Sequence, residues 1–229
     1  MENEIEVPTI PEEDKKDAAY TALKAALSAI PYIGGPVAEL LKYVIAPPID
    51  KRRDEWLENI AYRLYECEKK IESFKVNDLR DNDLFITIFL NATAIAIRNH
   101  QSEKLLYLQN AVLNTAIKIP IEENMQIMFI NMIDTLTPLH LRVLKYFHDP
   151  KIWLENNKVS ELSLKNVFPE LAYDKTFYNR VIRDLINFEL VSEVGAINYH
   201  FTENSKMKYE PVITNFGKVF LKYCGLTTG

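Results

Sequence analysis

Residues 25–38 read AALSAIPYIGGPVA, 14 positions without a charge, and this stretch limits what the N-terminal part of the chain can become. A membrane-crossing helix needs about 20 apolar residues, so the stretch is too short to span alone. Its middle also holds Pro31, Gly34, Gly35 and Pro36, residues that remove a backbone donor or add backbone freedom and so interrupt a helix. Residues 18–49 are therefore expected to fold back as a hydrophobic helical hairpin that turns at PYIGGP. Its second arm, residues 36–46, places Pro36 at a first helical position and is expected to stop before Pro47 and Pro48.

Before the hairpin, residues 1–17 carry seven acids and two lysines. This is the opposite of the basic start of an export signal, so a flexible acidic arm and no signal are expected. After Asp50, the residues Leu57, Ile60, Leu64, Cys67, Ile71 and Phe74 alternate spacings of three and four, as a bundle helix or a short dimer seam would. The helix over residues 54–75 is thus also a candidate homodimer contact. Residues 81–99 are apolar over most of the circumference and read as a central helix. Ser102 is expected to cap the next helix, whose inner face would be Leu105, Leu108, Val112, Leu113 and Ala116. Met125, Met128, Phe129, Met132 and Ile133 mark the inner side of a helix over residues 122–136.

A distinct pattern starts at Thr137. Thr137 and Pro138 form a cap and a first helical position, and Leu139, Val143, Leu144 and Phe147 follow on one side, with Asp149 and Pro150 as a stop. A short helix is expected near residues 161–167, and a longer one over residues 174–188 with Phe177, Val181, Ile182, Leu185 and Ile186 inward. LVSEV (residues 190–194) and INYHF (residues 197–201) read as two strands about Gly195. PVITNFGKVFLKYC then reads as a short strand, a Thr214 to Gly217 turn and a closing helix.

Three helices, a hairpin and a T-x-x-G-x-x-F start to a last helix resemble the winged helix-turn-helix families of bacterial regulators, over about residues 137–224. The resemblance implies that the third helix enters a DNA major groove. Its outward candidates would be Lys175, Thr176, Tyr178, Asn179, Arg180 and Arg183, residue types that pair with bases or phosphates. Residues 137–229 hold 12 Lys and Arg against 10 Asp and Glu, and residues 1–136 hold 15 against 22. The basic excess is small for a phosphate-neutralising surface. Winged helices also dock proteins, so a DNA partner and a protein partner both stand.

The PYIGGP hairpin resembles the hydrophobic hairpins of helical pore-forming proteins, which leave a soluble bundle for the bilayer. That likeness implies a membrane-active effector whose turn is Pro31, Gly34, Gly35 and Pro36. Lys24, Glu39 and Lys42 on the arms oppose insertion, at about 2.5–3.5 kcal/mol each. IPYIGGPVAELL, RLYE and TPLHLRVLKYFHDP together resemble a set of uncharacterised bacterial proteins associated with phage-defence loci, which implies an effector or sensor role.

Chemistry by motif is missing. His100, His140, His148 and His200 are scattered, and neither HExxH nor a Cys/His metal spacing occurs. There is no GxSxG, Walker loop or GxGxxG. Cys67 and Cys224 are too few for a disulfide framework. No catalytic residue, cofactor or metal is therefore expected. With 48% hydrophobic and 26% charged residues, the chain is globular by composition. The expectation is a mainly α, non-enzymatic regulatory or effector protein, cytoplasmic or peripheral to a membrane. It would comprise an arm (residues 1–17), an N-terminal helical bundle with the hairpin (residues 18–136) and a C-terminal winged helix-turn-helix (residues 137–229).

Overall fold

The structure, a computed structural model, describes residues 36–158, 164–193 and 211–226, with side chains from Ile49 onward. It is mainly helical. In order come α1 (Pro36–Lys70), a 3-10 helix (Val76–Asp81), α2 (Asp83–Arg98), α3 (Ser102–Ala116), α4 (Glu123–Thr135), α5 (Pro138–His148), α6 (Pro150–Asn157) and α7 (Leu164–Val167). A second 3-10 helix (Pro169–Ala172), α8 (Lys175–Asn187) and α9 (Asn215–Tyr223) complete it. The chain divides into two compact units, residues 1–82 with 93–100 and residues 83–92 with 101–229.

In the first unit, α1 does not stop before Pro47 but runs on to Lys70. The two rings remove the N–H groups that would meet the carbonyls of Tyr43 and Val44, so the helix passes this turn with two ladder bonds fewer. The heptad seam is partly internal: Ile60, Leu64 and Phe74 are buried, and Leu57, Cys67 and Ile71 are half-buried. Trp56, outside the expected seam, is also buried and donates from Nε1 to Thr93 Oγ1 at 2.9 Å. Helix α2, whose residues are divided between the two units at Thr93, is one-sided rather than apolar all round. Phe85, Ile88, Ala92, Ile95 and Ala96 are buried, whereas Ile86 and Leu90, on the opposite side of the wheel, face solvent.

The second unit is organised by α3. Tyr107, Leu108, Ala111, Val112 and Ala116 are buried, and its polar residues satisfy the ends of two neighbouring helices. Lys104 donates from Nζ to the Asp134 carbonyl near the end of α4. Asn110 and Asn114 donate to the carbonyls of Cys224 and Tyr223 at 2.8 and 2.9 Å. These carbonyls lie in the last turns of α4 and α9, where intrahelical donors run out. Ser102 is the first helical residue rather than the cap; Gln101 sits at the cap with no side-chain bond.

Around α3 the core is aromatic. Phe129 of α4 lies 5.1, 5.2 and 5.6 Å, ring centre to ring centre, from Phe216, Phe220 and Tyr223. Thr115 Oγ1 lies 2.7 Å from Gln126 Oε1 and 3.0 Å from Tyr223 Oη, a buried polar junction of α3, α4 and α9. Burial pushes the Tyr223 phenol well above its ordinary range, so it stays a neutral donor. Met128, expected inward, is exposed.

Three helix ends in this unit close by the same device. After α3, α8 and α9, a residue with positive φ (Lys118, Glu189 and Gly225) is followed by a backbone N–H bond back to Asn114, Leu185 and Leu221. This is the Schellman pairing. Only the third uses glycine, so the first two left no mark in the sequence.

Candidate functional site

The region from Thr137 builds a run of short helices from local signals. Thr137 occupies the cap of α5 and Pro138 its first turn, as the dipeptide dictates. The Thr137 N–H donates to His140 Nδ1 at 3.2 Å, and Thr137 Oγ1 lies 2.7 Å from the same nitrogen. A backbone N–H only donates, so in the neutral ring the proton sits on Nε2. That nitrogen faces Asp184 Oδ2 of α8 at 3.5 Å. Burial holds the His140 pKa below its ordinary value, opposed by the nearby Asp184 carboxylate.

Asp149 and Pro150 end α5, as expected, and also start α6, which the sequence reading missed. Asp149 Oδ1 accepts from the Ile152 N–H at 3.0 Å, so one dipeptide serves as both stop and start. Leu164, Val167, Phe168 and Leu171 are buried, and Arg142 Nη2 ties α5 to Glu170 of the second 3-10 helix at 2.7 Å. Helix α8 packs against that 3-10 helix and against α5. Its cap is Asp174, whose Oδ1 accepts from the Phe177 N–H at 2.8 Å.

Of the six binding candidates, five lie on the outer side. Lys175, Thr176, Asn179, Arg180 and Arg183 are exposed. Tyr178 is a correction: it is 5% exposed and packs inward with Val181 and Leu185, at the helical spacings of three and seven that place all three on one side. Its phenol is pushed up to about 12 by that burial, and Lys165 Nζ stands 5.6 Å from the ring centre. Phe177, expected inward, is 41% exposed, and Tyr173 just before the helix is 91% exposed. Arg180 is turned along its own helix and donates from Nε to Asp184 Oδ2 at 2.8 Å.

After α8, the described part of the expected first wing strand is one antiparallel bridge, Val191 with Ile213. Ser192 N–H donates to the Val212 carbonyl at 2.9 Å and Thr214 N–H to the Leu190 carbonyl at 3.0 Å. Val191 is thus paired with the Pro211 segment; INYHF, its expected partner, lies outside the described residues, as does Gly195. Thr214 then caps α9, accepting from the Gly217 N–H at 2.9 Å. A Cβ on Gly217 would overlap the Leu190 carbonyl, which explains the glycine at that position.

Pro31, Gly34 and Gly35 of the hairpin turn, and the acidic arm, lie outside the described residues; Pro36 opens α1. Among the described residues no single helix is long and apolar enough to cross a membrane. Helices α4 and α5 together are long and apolar enough, but the pair is bent by 119°, and its Phe129, Ile130, Ile133, Leu141 and Val143 are core residues. Among the described residues no group of three or more His, Cys, Asp or Glu could hold a metal ion.

Fold and site together define a mainly helical protein with an exposed polar helix, α8, carried on packed neighbours. No protein-family model, curated protein or solved structure matches the chain.

Proposed function

We propose that the second unit carries a winged helix-turn-helix-type domain that binds duplex DNA through α8, in a non-enzymatic regulatory or effector protein. One observation carries this reading: α8 buries only the side made by Tyr178, Val181 and Leu185 and leaves Lys175, Thr176, Asn179, Arg180 and Arg183 in solvent. Arginine forks and asparagine amides are the groups that pair with guanine and adenine edges, and lysine neutralises phosphate. The packing of α8 on α5 and the 3-10 helix supports the same reading, because a recognition helix needs rigid support behind it.

The test is duplex mobility shift at two salt concentrations. The Arg180→Ala plus Arg183→Ala variant is expected to bind more weakly and with a salt slope lower by about two phosphates. Absence of wild-type binding, or binding unchanged by the double substitution, rejects the reading.

Tyr173 and Phe177 favour a second reading, a protein partner, since exposed aromatic side chains at one end of a helix are characteristic anchors of protein interfaces. Tyr173→Ser plus Phe177→Ser would abolish such an association and leave the fold intact. A co-purifying partner retained by this variant would reject the second reading.

A further inference from the structure

A cleft of about 410 Å³ opens between α3, α5 and α6, on residues that the duplex reading does not use. Its size falls within the ordinary range of small-molecule sites, about 300–1,000 Å³. Arg142, Lys145 and His148, three residues apart on α5, line one wall, and Asn156 and Asn157 on α6 line another, Asn157 with its amide nitrogen already donating to the Trp153 carbonyl at 2.8 Å. We infer that this cleft binds a small organic oxyanion, a molecule bearing a phosphate or carboxylate group.

Hydrogen-bond accounting supports the inference. Among the described residues, three buried side-chain polar atoms make no hydrogen bond: His140 Nε2, Arg142 Nε and His148 Nδ1. Two of the three belong to residues of this one cleft. Buried polar groups are normally paired, and an unpaired one costs about 1–3 kcal/mol. The Arg142 fork is already fixed, because Nη2 is held by Glu170 at 2.7 Å, while Nε reaches Glu103 Oε2 only at 3.9 Å. An oxyanion suits the remaining Nε–H because a charge-assisted hydrogen bond to it is stronger than a neutral one.

The carboxylates nearby do not cancel the site. Asp149 Oδ1 is committed to the Ile152 N–H. Glu103 is half-exposed and is free to turn into water when a ligand oxygen takes its place beside Arg142. Burial and Lys218 hold the His148 pKa down, so this imidazole is neutral at pH 7 and adds polarity rather than charge to the cleft wall. Lys145 supplies the remaining charge.

The experiment is isothermal titration of the full chain with inorganic phosphate, citrate and adenosine monophosphate as separate probes. Saturable binding of at least one probe is expected at millimolar concentration or below. Arg142→Gln and Lys145→Gln should each weaken it roughly tenfold or more, and Glu103→Gln should strengthen it. Arg183→Gln, on α8, should leave it unchanged. Circular dichroism checks the fold of each variant, and Lys145→Gln carries the test if Arg142→Gln unfolds through loss of Glu170. No saturable binding by any probe overturns the inference, and so does equal weakening by Arg183→Gln, which would mark general attraction to positive charge.

Discussion

His140 Nε2 stands 3.5 Å from Asp184 Oδ2, the oxygen that also accepts from Arg180 Nε at 2.8 Å. One carboxylate therefore faces both the buried start of α5 and an exposed arginine of α8. Because burial lowers the His140 pKa, the folded protein binds fewer protons than the unfolded chain as pH falls below the ordinary value of 6.5. The stability this provides is present above that value and lost as pH falls through the depressed one. His148 is shifted the same way. Urea unfolding should thus show stability falling between pH 7 and the acid side. His140→Gln, which keeps an acceptor for the Thr137 N–H without titrating, should flatten part of that fall. An unchanged pH profile in this variant would remove His140 as a cause.

Asp184→Asn keeps the size of the side chain and removes the charge that holds Arg180 along the helix. If α8 meets duplex DNA, this variant should bind several-fold more tightly, with a steeper salt dependence, because Arg180 is released and one like-charged repulsion with phosphate is gone. Equal affinity in the mobility shift would place Arg180 outside the interface.

Gly225 has a φ of +68°, and a Cβ there would press on the Asn110 amide, which itself caps α9. Gly225→Ala is expected to destabilise by about 1–2 kcal/mol from the left-handed backbone alone, with loss of the Asn110 bond added. Gly217→Ala should cost more despite alanine's better helix propensity, since its Cβ meets the Leu190 carbonyl rather than a movable side chain. Thermal unfolding of both variants checks the order.

Lys118 and Glu189 hold the same left-handed position with φ of 55° and 56°. Glycine accepts this conformation without a Cβ penalty but loses more entropy on folding. Lys118→Gly and Glu189→Gly should therefore each stabilise modestly, by about 0.5 kcal/mol. A fall in the unfolding midpoint of both would contradict the assignment of these helix ends.

Thr115→Val replaces a hydroxyl by a methyl of similar size and leaves Gln126 Oε1 and Tyr223 Oη facing an apolar group. A cost of about 1–3 kcal/mol is expected. Adding Tyr223→Phe should cost less than the two single effects together, because the phenol has already lost its partner.

Several helix starts were legible because their causes are local, although α6 was missed and Ser102 is a first helical residue rather than a cap. Thr137 with Pro138, Asp174, Glu122 and Thr214 each place a cap beside its helix, and the apolar spacing of Val181 and Leu185 fixed the inner side of α8. Tyr178 was misassigned because its phenol reads as either a contact or a core residue, and only packing on α5 and the 3-10 helix turns it inward. The end of α8 falls at Phe188 as expected, but the left-handed conformation of Lys118 and Glu189 was not legible, because no glycine announces it.

The amino-acid order by itself determined where most helices begin, which side of each is apolar, and that no familiar catalytic or metal-binding motif is present; these follow from backbone sterics and side-chain periodicity within a few residues. Tertiary structure alone decided that Asn110 and Asn114 would close α9 from more than a hundred residues away, that Val191 would pair with Ile213, that Asp184 would stand between His140 and Arg180, and that Arg142, Lys145 and His148 would line one cleft with Asn156 and Asn157. Such pairings depend on which elements come to lie side by side, and burial sets the free energy of each polar group only after that packing is made.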